Sequence, residues 1–213
     1  IMTNEVAATH WKTSEMNQFA EMLAKKSNGR IAAKVFAASQ LYNDRDAVAA
    51  LGTGAVHMTW PASVNLESID QRVGLLILPF LLSDEQMMKP AFAKDMTKLV
   101  SSFTEPKNIE VLAILRTTDL FFLFKERPIR KIADLKGQKV RVTGGRIQSD
   151  IIRAYGGSPT SIAASEMSMA LATGAIDGIV TSGSAWARIV GKTAKQASLI
   201  PGLGLLTYTV AVD

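Results

Sequence analysis

Apolar residues recur at helical and then at extended spacing along the first sixty residues. Met16, Phe19 and Leu23 fall on one face of a helix predicted over Thr13–Ser27, and Asn28-Gly29 supplies its C-terminal stop. The pattern then predicts a strand, a second helix and a further strand, over Ile31–Phe36, Asp46–Thr53 and Val56–Trp60. Strands that alternate with helices indicate a parallel α/β layer.

The middle of the chain is apolar but less regular. Val73–Leu82 is interrupted by Pro79, and a helix predicted over Glu85–Phe103 contains Pro90, which kinks or delays it. Two buried strands are predicted next, over Ile109–Leu115 and Asp119–Phe124.

The second half of the chain repeats the order of the first. After a short helical turn at Ile132–Leu135, the pattern predicts strand, helix, strand, helix and strand, around Val140 and over Ile147–Tyr155, Thr160–Ala163, Ser165–Thr173 (capped by Ser165) and Ala175–Thr181. The phrase "ALGTGAVHM" at residues 50–58 returns as "ALATGAIDG" at residues 170–178. A helix-to-strand joint used twice in the same order predicts two similar α/β lobes.

Composition narrows the class of protein. The chain has 213 residues, a length sufficient for one large or two small domains, and 47% of its residues are apolar. It has no cysteine, and its two histidines, His10 and His57, lie far apart, so disulfides and a zinc site are not expected. We expect no cofactor. No apolar run approaches the length of a membrane span, so we expect no direct membrane insertion.

Other signals indicate little chemistry. The net charge of +5 favours anionic partners, and Lys125–Arg146 holds eight basic and two acidic residues. These residues lack aromatic interleaving and a known motif, so nucleic-acid binding is not expected. "VTGGRIQ" departs from the dinucleotide fingerprint, and no nucleophile, base and acid stand together, so no enzyme is predicted.

Arg141 is the strongest single candidate for binding. In "KVRV" it shares a strand face with Lys139 and stands one residue before the predicted strand end, where open α/β sheets bind ligands. A guanidinium matches a carboxylate with two parallel hydrogen bonds. The alternative is a solvated arginine paired with Asp134.

Five stretches of the chain are specific in their order and spacing. They are "FAEMLAKKSNGRI" (19–31), "FAASQLYNDRDAVAALGTGAVHM" (36–58), "LPFLLSD" (78–84), "RPIRKIADLKGQKVRVTGG" (127–145) and "ALATGAIDGIVTS" (170–182). In these motifs the chain resembles the extracytoplasmic solute receptors of TRAP transporters, known as the DctP type, and the resemblance runs over nearly the whole chain.

The resemblance implies a two-lobed, hinged, type II-like periplasmic binding protein with the ligand between the lobes. The expected lobes are residues 1–118 with 209–213, and residues 119–208. It also implies a chain shortened at both ends relative to the family. No signal peptide is visible, which is what a mature periplasmic protein would show.

The resemblance also assigns site residues. Arg141 matches the arginine that clamps the ligand carboxylate, whereas Phe121 stands where many relatives carry a second arginine, and Thr181 stands where an asparagine is usual. These departures favour a monocarboxylate or a less polar ligand. Phe121 packing within an aromatic strand is the alternative.

Further lining candidates have structural alternatives. Trp60 and Trp186 would stack on the ligand or pack in a core, and Asn65 belongs to the same loop as Trp60. Glu5 would accept a hydrogen bond from the ligand or lie exposed. Gly144 and Gly145 lead into a helix whose free N–H groups help hold an anion, or they form a plain turn.

The function expected from the resemblance is a periplasmic receptor that binds an organic acid and delivers it to the membrane permease subunits of a TRAP transporter. The alternative is the ligand-sensing effector domain of a bacterial transcription regulator, which can share this fold. A secretion signal or a DNA-binding helix-turn-helix upstream of residue 1 would discriminate them.

Overall fold

A computed structural model describes residues 1–213, and its first sixty residues form a parallel layer. The elements are β1 (Met2–Thr3), α1 (Trp11–Lys26), β2 (Val35–Phe36), α2 (Asp44–Ala50) and β3 (Met58–Thr59). β1 lies between β2 and β3 and is parallel to both, as the alternation predicts. The strands are much shorter than predicted, and residues 31–34 form an irregular approach to β2.

Two 3-10 helices and two α-helices follow β3. The 3-10 helices span Ser63–Ser68 and Gln71–Ile77, and α3 (Asp84–Met87) and α4 (Pro90–Thr104) come next. The single helix predicted over Glu85–Phe103 is therefore wrong, because Pro90 occupies the first turn of α4 and starts a new helix. α3 has its own N-terminal capping box between Ser83 and Gln86.

One long strand, β4 (Glu110–Phe124), replaces the two strands predicted in this region. Register shifts between Val111 and Ala113 and between Arg116 and Thr118 let it bend without ending. The predicted gap contains two threonines, whose β-branched side chains are compatible with a continuous strand.

The second parallel layer has the connectivity of the first. Its elements are β5 (Lys139–Val142), α5 (Arg146–Ala154), β6 (Ser158–Ser161), α6 (Met167–Ala172) and β7 (Gly178–Ser182). β5 lies between β6 and β7 and is parallel to both, so the repeat predicted from sequence is confirmed as a repeat of topology. The predicted cap of α6 is wrong, since Glu166 and not Ser165 occupies that position.

The chain closes with α7 (Gly183–Ala185), a π-helical turn at Trp186–Val190, β8 (Gln196–Leu199) and β9 (Leu205–Val212). β9 returns antiparallel to β4, and the sheet order is β2-β1-β3-β9-β4-β7-β5-β6, with β8 also paired to β4. None of the helices combines the length and the apolar character needed to span a bilayer.

β4 and β9 join two halves of the sheet. We call residues 1–109 the first half and residues 125–204 the second half. β4 pairs with β9 up to Asp119 and with β7 from Leu120 onward. The expected lobe limits at 118/119 and 208/209 fall within these two strands and stay predictions. One apolar cluster lies around Leu66 and Val100 in the first half, and another, around Val140 and Ile152 in the second half, also includes Ala62, Val64 and Ile77 of the first.

Candidate functional site

Arg141 lies buried between the two halves at the carboxyl end of β5. Its side chain is 2% exposed, which excludes the solvated alternative. Asp134, the alternative partner, accepts hydrogen bonds from the backbone N–H groups of Arg130 and Lys131 instead. Burial lowers the pKa of the Arg141 guanidinium, and the nearby Glu5 carboxylate opposes that effect.

Neutral acceptors hold the Arg141 guanidinium in place. Nε donates to the carbonyl of Ile162 at 2.8 Å, and Nη1 donates to Thr143 Oγ1 at 3.2 Å and to the Val180 carbonyl at 3.5 Å. These bonds use Nε and Nη1 and leave Nη2 without a hydrogen bond. The guanidinium is therefore oriented by the protein but is not paired directly with a carboxylate.

A small cavity of about 20 Å³ adjoins Arg141, and we call it the inner cavity. Glu5 and His10 line it from the first half, Thr181 and Ser182 from the end of β7, and Tyr208 from β9. This volume accommodates about one water molecule, so the halves stand in a closed arrangement. Admission of a ligand larger than a water molecule would require them to separate.

Glu5 crosses the cleft rather than facing solvent. One carboxylate oxygen accepts from the N–H of Asp44 at 3.3 Å, and the other accepts from the N–H of Ala164 in the second half at 3.2 Å. Burial, followed by repulsion from Asp44, raises the pKa of Glu5 to about 6. The predicted pocket position is thus buried, with both oxygens already engaged.

A buried ion pair lies behind the inner cavity. Lys12 Nζ is 3.3 Å from Asp44 Oδ2, donates to the Trp60 carbonyl at 2.9 Å and lies 4.3 Å from the centre of the Tyr208 ring. Asp44 also accepts from the N–H of Ala62 at 2.9 Å. The charge of Lys12 is therefore balanced by Asp44, and its ammonium group contacts three partners.

Two further groups at the inner cavity have displaced pKa values. His10 caps α1 by accepting from the Lys12 N–H at 3.1 Å, and burial followed by repulsion from Lys12 lowers the pKa of His10 to about 4. Burial and the nearby Asp44 and Glu5 carboxylates raise the pKa of Tyr208. Neutral His10 and neutral Tyr208 therefore line the inner cavity together with Arg141 at pH 7.

A second opening of about 280 Å³ lies at the N-terminus of α5, and we call it the outer cavity. Asn65, Gly144 and Gly145, all predicted site residues, line it together with Glu67 and Arg146. Glu67 Oε2 accepts from the N–H of Arg146 at 2.6 Å. Burial raises the pKa of the Glu67 carboxyl, and this N–H bond opposes the rise.

The three predicted aromatic candidates lie in packed clusters and line neither cavity. Trp60 packs edge-on against Phe19 at 5.9 Å within the cluster around β1 and β3. Phe121 lies 6.3 Å from Trp186, whose Nε1 donates to the carbonyl of Ala194 at 2.9 Å. The alternative for all three residues is packing, and their observed positions agree with it, because the rings contact other apolar side chains in these clusters. A role in ligand contact stays a prediction.

The site thus combines residues found from sequence with residues that were missed. Arg141, Thr181 and Glu5 meet at the inner cavity, and Asn65, Gly144 and Gly145 meet at the outer one. The residues that sequence reasoning missed are Lys12, Asp44, Glu67, Thr143, Ser182 and Tyr208. The helix predicted from Asp46 begins two residues earlier, at Asp44, because Asn43 caps it, and nothing local signals the burial of Asp44.

An α/β sheet in two halves, with a closed cleft and a buried arginine at the carboxyl ends of its parallel strands, defines the class of a two-lobed binding protein. The model of the family "Bacterial extracellular solute-binding protein, family 7" (DctP) matches residues 2–200. The chain belongs to this family.

Curated relatives agree with the family. The C4-dicarboxylate-binding periplasmic protein DctP of Rhodobacter capsulatus is 27% identical over 198 residues, which cover 92% of this chain and 59% of that protein. A solute-binding protein of Roseobacter denitrificans is 30% identical over 178 residues, which cover 83% of this chain and 53% of the relative. The chain therefore spans little more than half the length of these relatives.

Solved structures share the fold. A TRAP periplasmic solute-binding protein of Xanthobacter autotrophicus Py2 with bound β-D-galacturonate superposes with a TM-score of 0.90 at 23% identity, over 100% of this chain and 71% of that one. One of Sulfurospirillum deleyianum with bound succinate gives a TM-score of 0.88 at 23% identity, over 99% and 68%. These likenesses support the two-lobed fold, and nothing in the comparisons supports the regulator alternative.

Proposed function

We propose that this chain is the ligand-binding part of a periplasmic receptor that holds an organic acid by its carboxylate and delivers it to the membrane permease subunits of a TRAP transporter. The observation that carries the proposal is the buried Arg141, fixed by neutral acceptors with Nη2 unused beside the inner cavity. A charge-assisted hydrogen bond to such a group contributes about 1.5–3 kcal/mol.

The other groups at the cavity favour a small polar acid with one carboxylate. The charge of Lys12 is balanced by Asp44, so it offers no second free cation, and Phe121, where the family resemblance implies a second arginine, packs against Trp186. Hydroxyl groups of Thr181, Ser182 and Tyr208 surround the remaining space and can bond hydroxyl or keto oxygens of the ligand.

The proposal involves binding without turnover. Ligand contacts from both halves would favour the closed arrangement over the open one, and the difference in affinity between the two would drive closure. We expect the bound acid to be released unchanged, because the groups at the cavity serve recognition and no nucleophile is paired with a general base there.

The test is a thermal-shift screen of the full chain against organic acids. The panel includes succinate, L-malate, D-galacturonate, D-glucuronate and orotate, which are bound in the solved relatives, together with lactate, pyruvate and benzoate. An acid at one hundred times its Kd adds about 2.7 kcal/mol to the free energy of unfolding.

Arg141→Ala is compared with Arg130→Ala, which removes an exposed arginine remote from the cleft. We expect the shift to vanish in Arg141→Ala and to persist in Arg130→Ala. A shift that survives in Arg141→Ala would contradict the clamp, and a folded protein that responds to no acid would contradict the receptor.

A further inference from the structure

Glu67 links the two halves of the molecule through the N-terminus of α5. It lies in the 3-10 helix Ser63–Ser68 of the first half and is 7% exposed. Its Oε2 accepts hydrogen bonds from the backbone N–H groups of Arg146 at 2.6 Å and Ile147 at 3.3 Å, at the start of α5 in the second half. A carboxylate at a helix N-terminus satisfies free N–H groups and interacts favourably with the helix dipole.

The backbone around the Glu67 carboxylate leaves no room for a side chain. Gly145, the N-cap of α5, has a φ of +74°, and a Cβ there would lie 2.3 Å from Glu67 Oε1. On the other side, a Cβ at Gly74 would lie 2.5 Å from Ile147 Cδ1 and 3.0 Å from Glu67 Oε1. The carboxylate is therefore closely packed between two glycines, and at Gly145 the positive φ also favours glycine.

Hydrogen bonds continue from α5 to the guanidinium of Arg141. Gln148, in the first turn of α5, accepts from the backbone N–H of Thr143 at 2.7 Å. The hydroxyl of Thr143 in turn accepts from Arg141 Nη1 at 3.2 Å. Thr143, Gly144 and Gly145 are also the only residues between the end of β5 and α5. A shift of the α5 N-terminus would therefore displace Arg141 both through these hydrogen bonds and through the short backbone link.

We propose that Glu67 is a positioning residue: by capping α5 from the opposite half, it makes the orientation of Arg141 depend on closure of the cleft. When the halves separate, α5 loses its cap, and the Gln148–Thr143–Arg141 chain loosens. When they close, the cap re-forms and the guanidinium is fixed for a carboxylate. The benefit to ligand binding rests on the proposed function, whereas the link between Glu67 and Arg141 exists without any ligand.

The experiment measures hydrogen exchange by NMR in the ligand-free full chain. The readouts are the Arg141 Nε–H, which donates to the Ile162 carbonyl, and the backbone amides of Arg146 and Ile147. Glu67→Ala removes the cap, Glu67→Gln keeps one acceptor oxygen, and Glu21→Ala removes an exposed glutamate of α1 as a matched control.

We expect exchange at all three sites to rise about tenfold or more in Glu67→Ala, by an intermediate factor in Glu67→Gln, and not at all in Glu21→Ala. Faster exchange at Arg146 and Ile147 with an unchanged Arg141 Nε–H would overturn the proposal, because the cap would then not reach the guanidinium. Unchanged exchange at all three sites would overturn it as well.

Glu67→Gln keeps the experiment decisive if Glu67→Ala does not fold. It preserves the size of the side chain and removes only the charge and one acceptor oxygen, and a smaller rise at Arg141 is still expected. Because no acid is present, a failed organic-acid screen would overturn the proposed receptor function and leave this result standing. If an acid binds but exchange at Arg141 is unchanged in the Glu67 variants, the proposed role of Glu67 is contradicted and the receptor function stands.

Discussion

The two halves of the sheet share one topology and carry opposite chemistry at the cleft. In each half the first strand lies between the second and third, and the functional groups lie at or beyond the carboxyl ends of the strands. The first half directs carboxylates across the cleft, with Glu5 accepting from Ala164 N–H and Glu67 from Arg146 N–H. The second half supplies those N–H donors and Arg141.

A repeated topology therefore does not imply a repeated site chemistry. Lys12 and Arg141 are both buried cations, yet Lys12 is paired with Asp44 while Arg141 is held by carbonyl and hydroxyl oxygens. Under the proposed function, the Lys12–Asp44 pair contributes to stability and Arg141 contributes to ligand binding.

The largest expected effect comes from breaking the Lys12–Asp44 pair. Asp44→Asn leaves the Lys12 ammonium buried without its counter-ion, so we expect the free energy of unfolding to fall by about 3–5 kcal/mol. Urea denaturation monitored by circular dichroism measures it. Asp70→Asn is the matched control, because Asp70 pairs with an exposed Arg72 and asparagine retains its capping role.

We expect the Asp70→Asn control to lose much less stability than Asp44→Asn, because a surface ion pair contributes little. Equal stabilities of Asp44→Asn and the wild-type chain would show that Lys12 does not need its partner. The proposed distinction between Lys12 as a structural cation and Arg141 as a ligand-binding cation would then be contradicted.

Sequence reasoning found the repeat because each unit is locally encoded. A helix, a glycine turn and a β-branched strand start follow one another within ten residues at both places. It missed the continuity of β4, since the polar stretch around Arg116 looks like a break unless β9 is known to pair with it. Short-range patterns therefore predicted the layers but not the element that joins them.

The candidate site shows the same difference between residues with local signals and residues that depend on distant partners. Arg141 was found because its motif and strand position are local features. Lys12 was missed because a lysine in the first turn of a helix looks solvent-exposed, and its burial depends on the Trp60 carbonyl and the Tyr208 ring, 48 and 196 positions away. Glu67 escaped for the same reason, since its partners lie in the second half.

A smaller effect is expected from Glu5, the carboxylate that the first half places in the inner cavity. Its pKa is raised from 4.5 to about 6, so the folded state binds more protons than the unfolded state between these pH values. Stability therefore falls as pH rises through this window, by about 2 kcal/mol in total, and stays level above it.

Glu5→Gln removes this titration. We expect the difference in free energy of unfolding between the wild-type chain and Glu5→Gln to change by about 2 kcal/mol from pH 4 to pH 7, in favour of Glu5→Gln at pH 7. Urea titrations at five pH values measure it. Parallel pH profiles for the two chains would show that Glu5 is solvated, and the cleft would then be open in solution.

The smallest effect tests the equivalence of the two halves directly. Gly54 and Gly174 occupy the same place in the repeated phrase, with φ values of +81° and +77° and open space around each. Alanine at either position meets only the left-handed backbone penalty, so we expect both variants to lose about 1 kcal/mol. Both glycines precede their strands, at the edge of the sheet opposite the cleft, so neither variant should weaken binding of an acid identified in the screen.

Gly145→Ala supplies the contrast at the cleft edge. It has a similar φ of +74°, but its Cβ would collide with Glu67 Oε1, so it should lose more stability than Gly54→Ala or Gly174→Ala and should weaken binding as well. Thermal unfolding and acid titration of the three variants measure both quantities. Unequal costs at Gly54 and Gly174, or weaker binding in either variant, would mean that the halves differ beyond the cleft edge. Equal losses of stability with unchanged binding would confine the difference between the halves to the residues that face each other across the cleft.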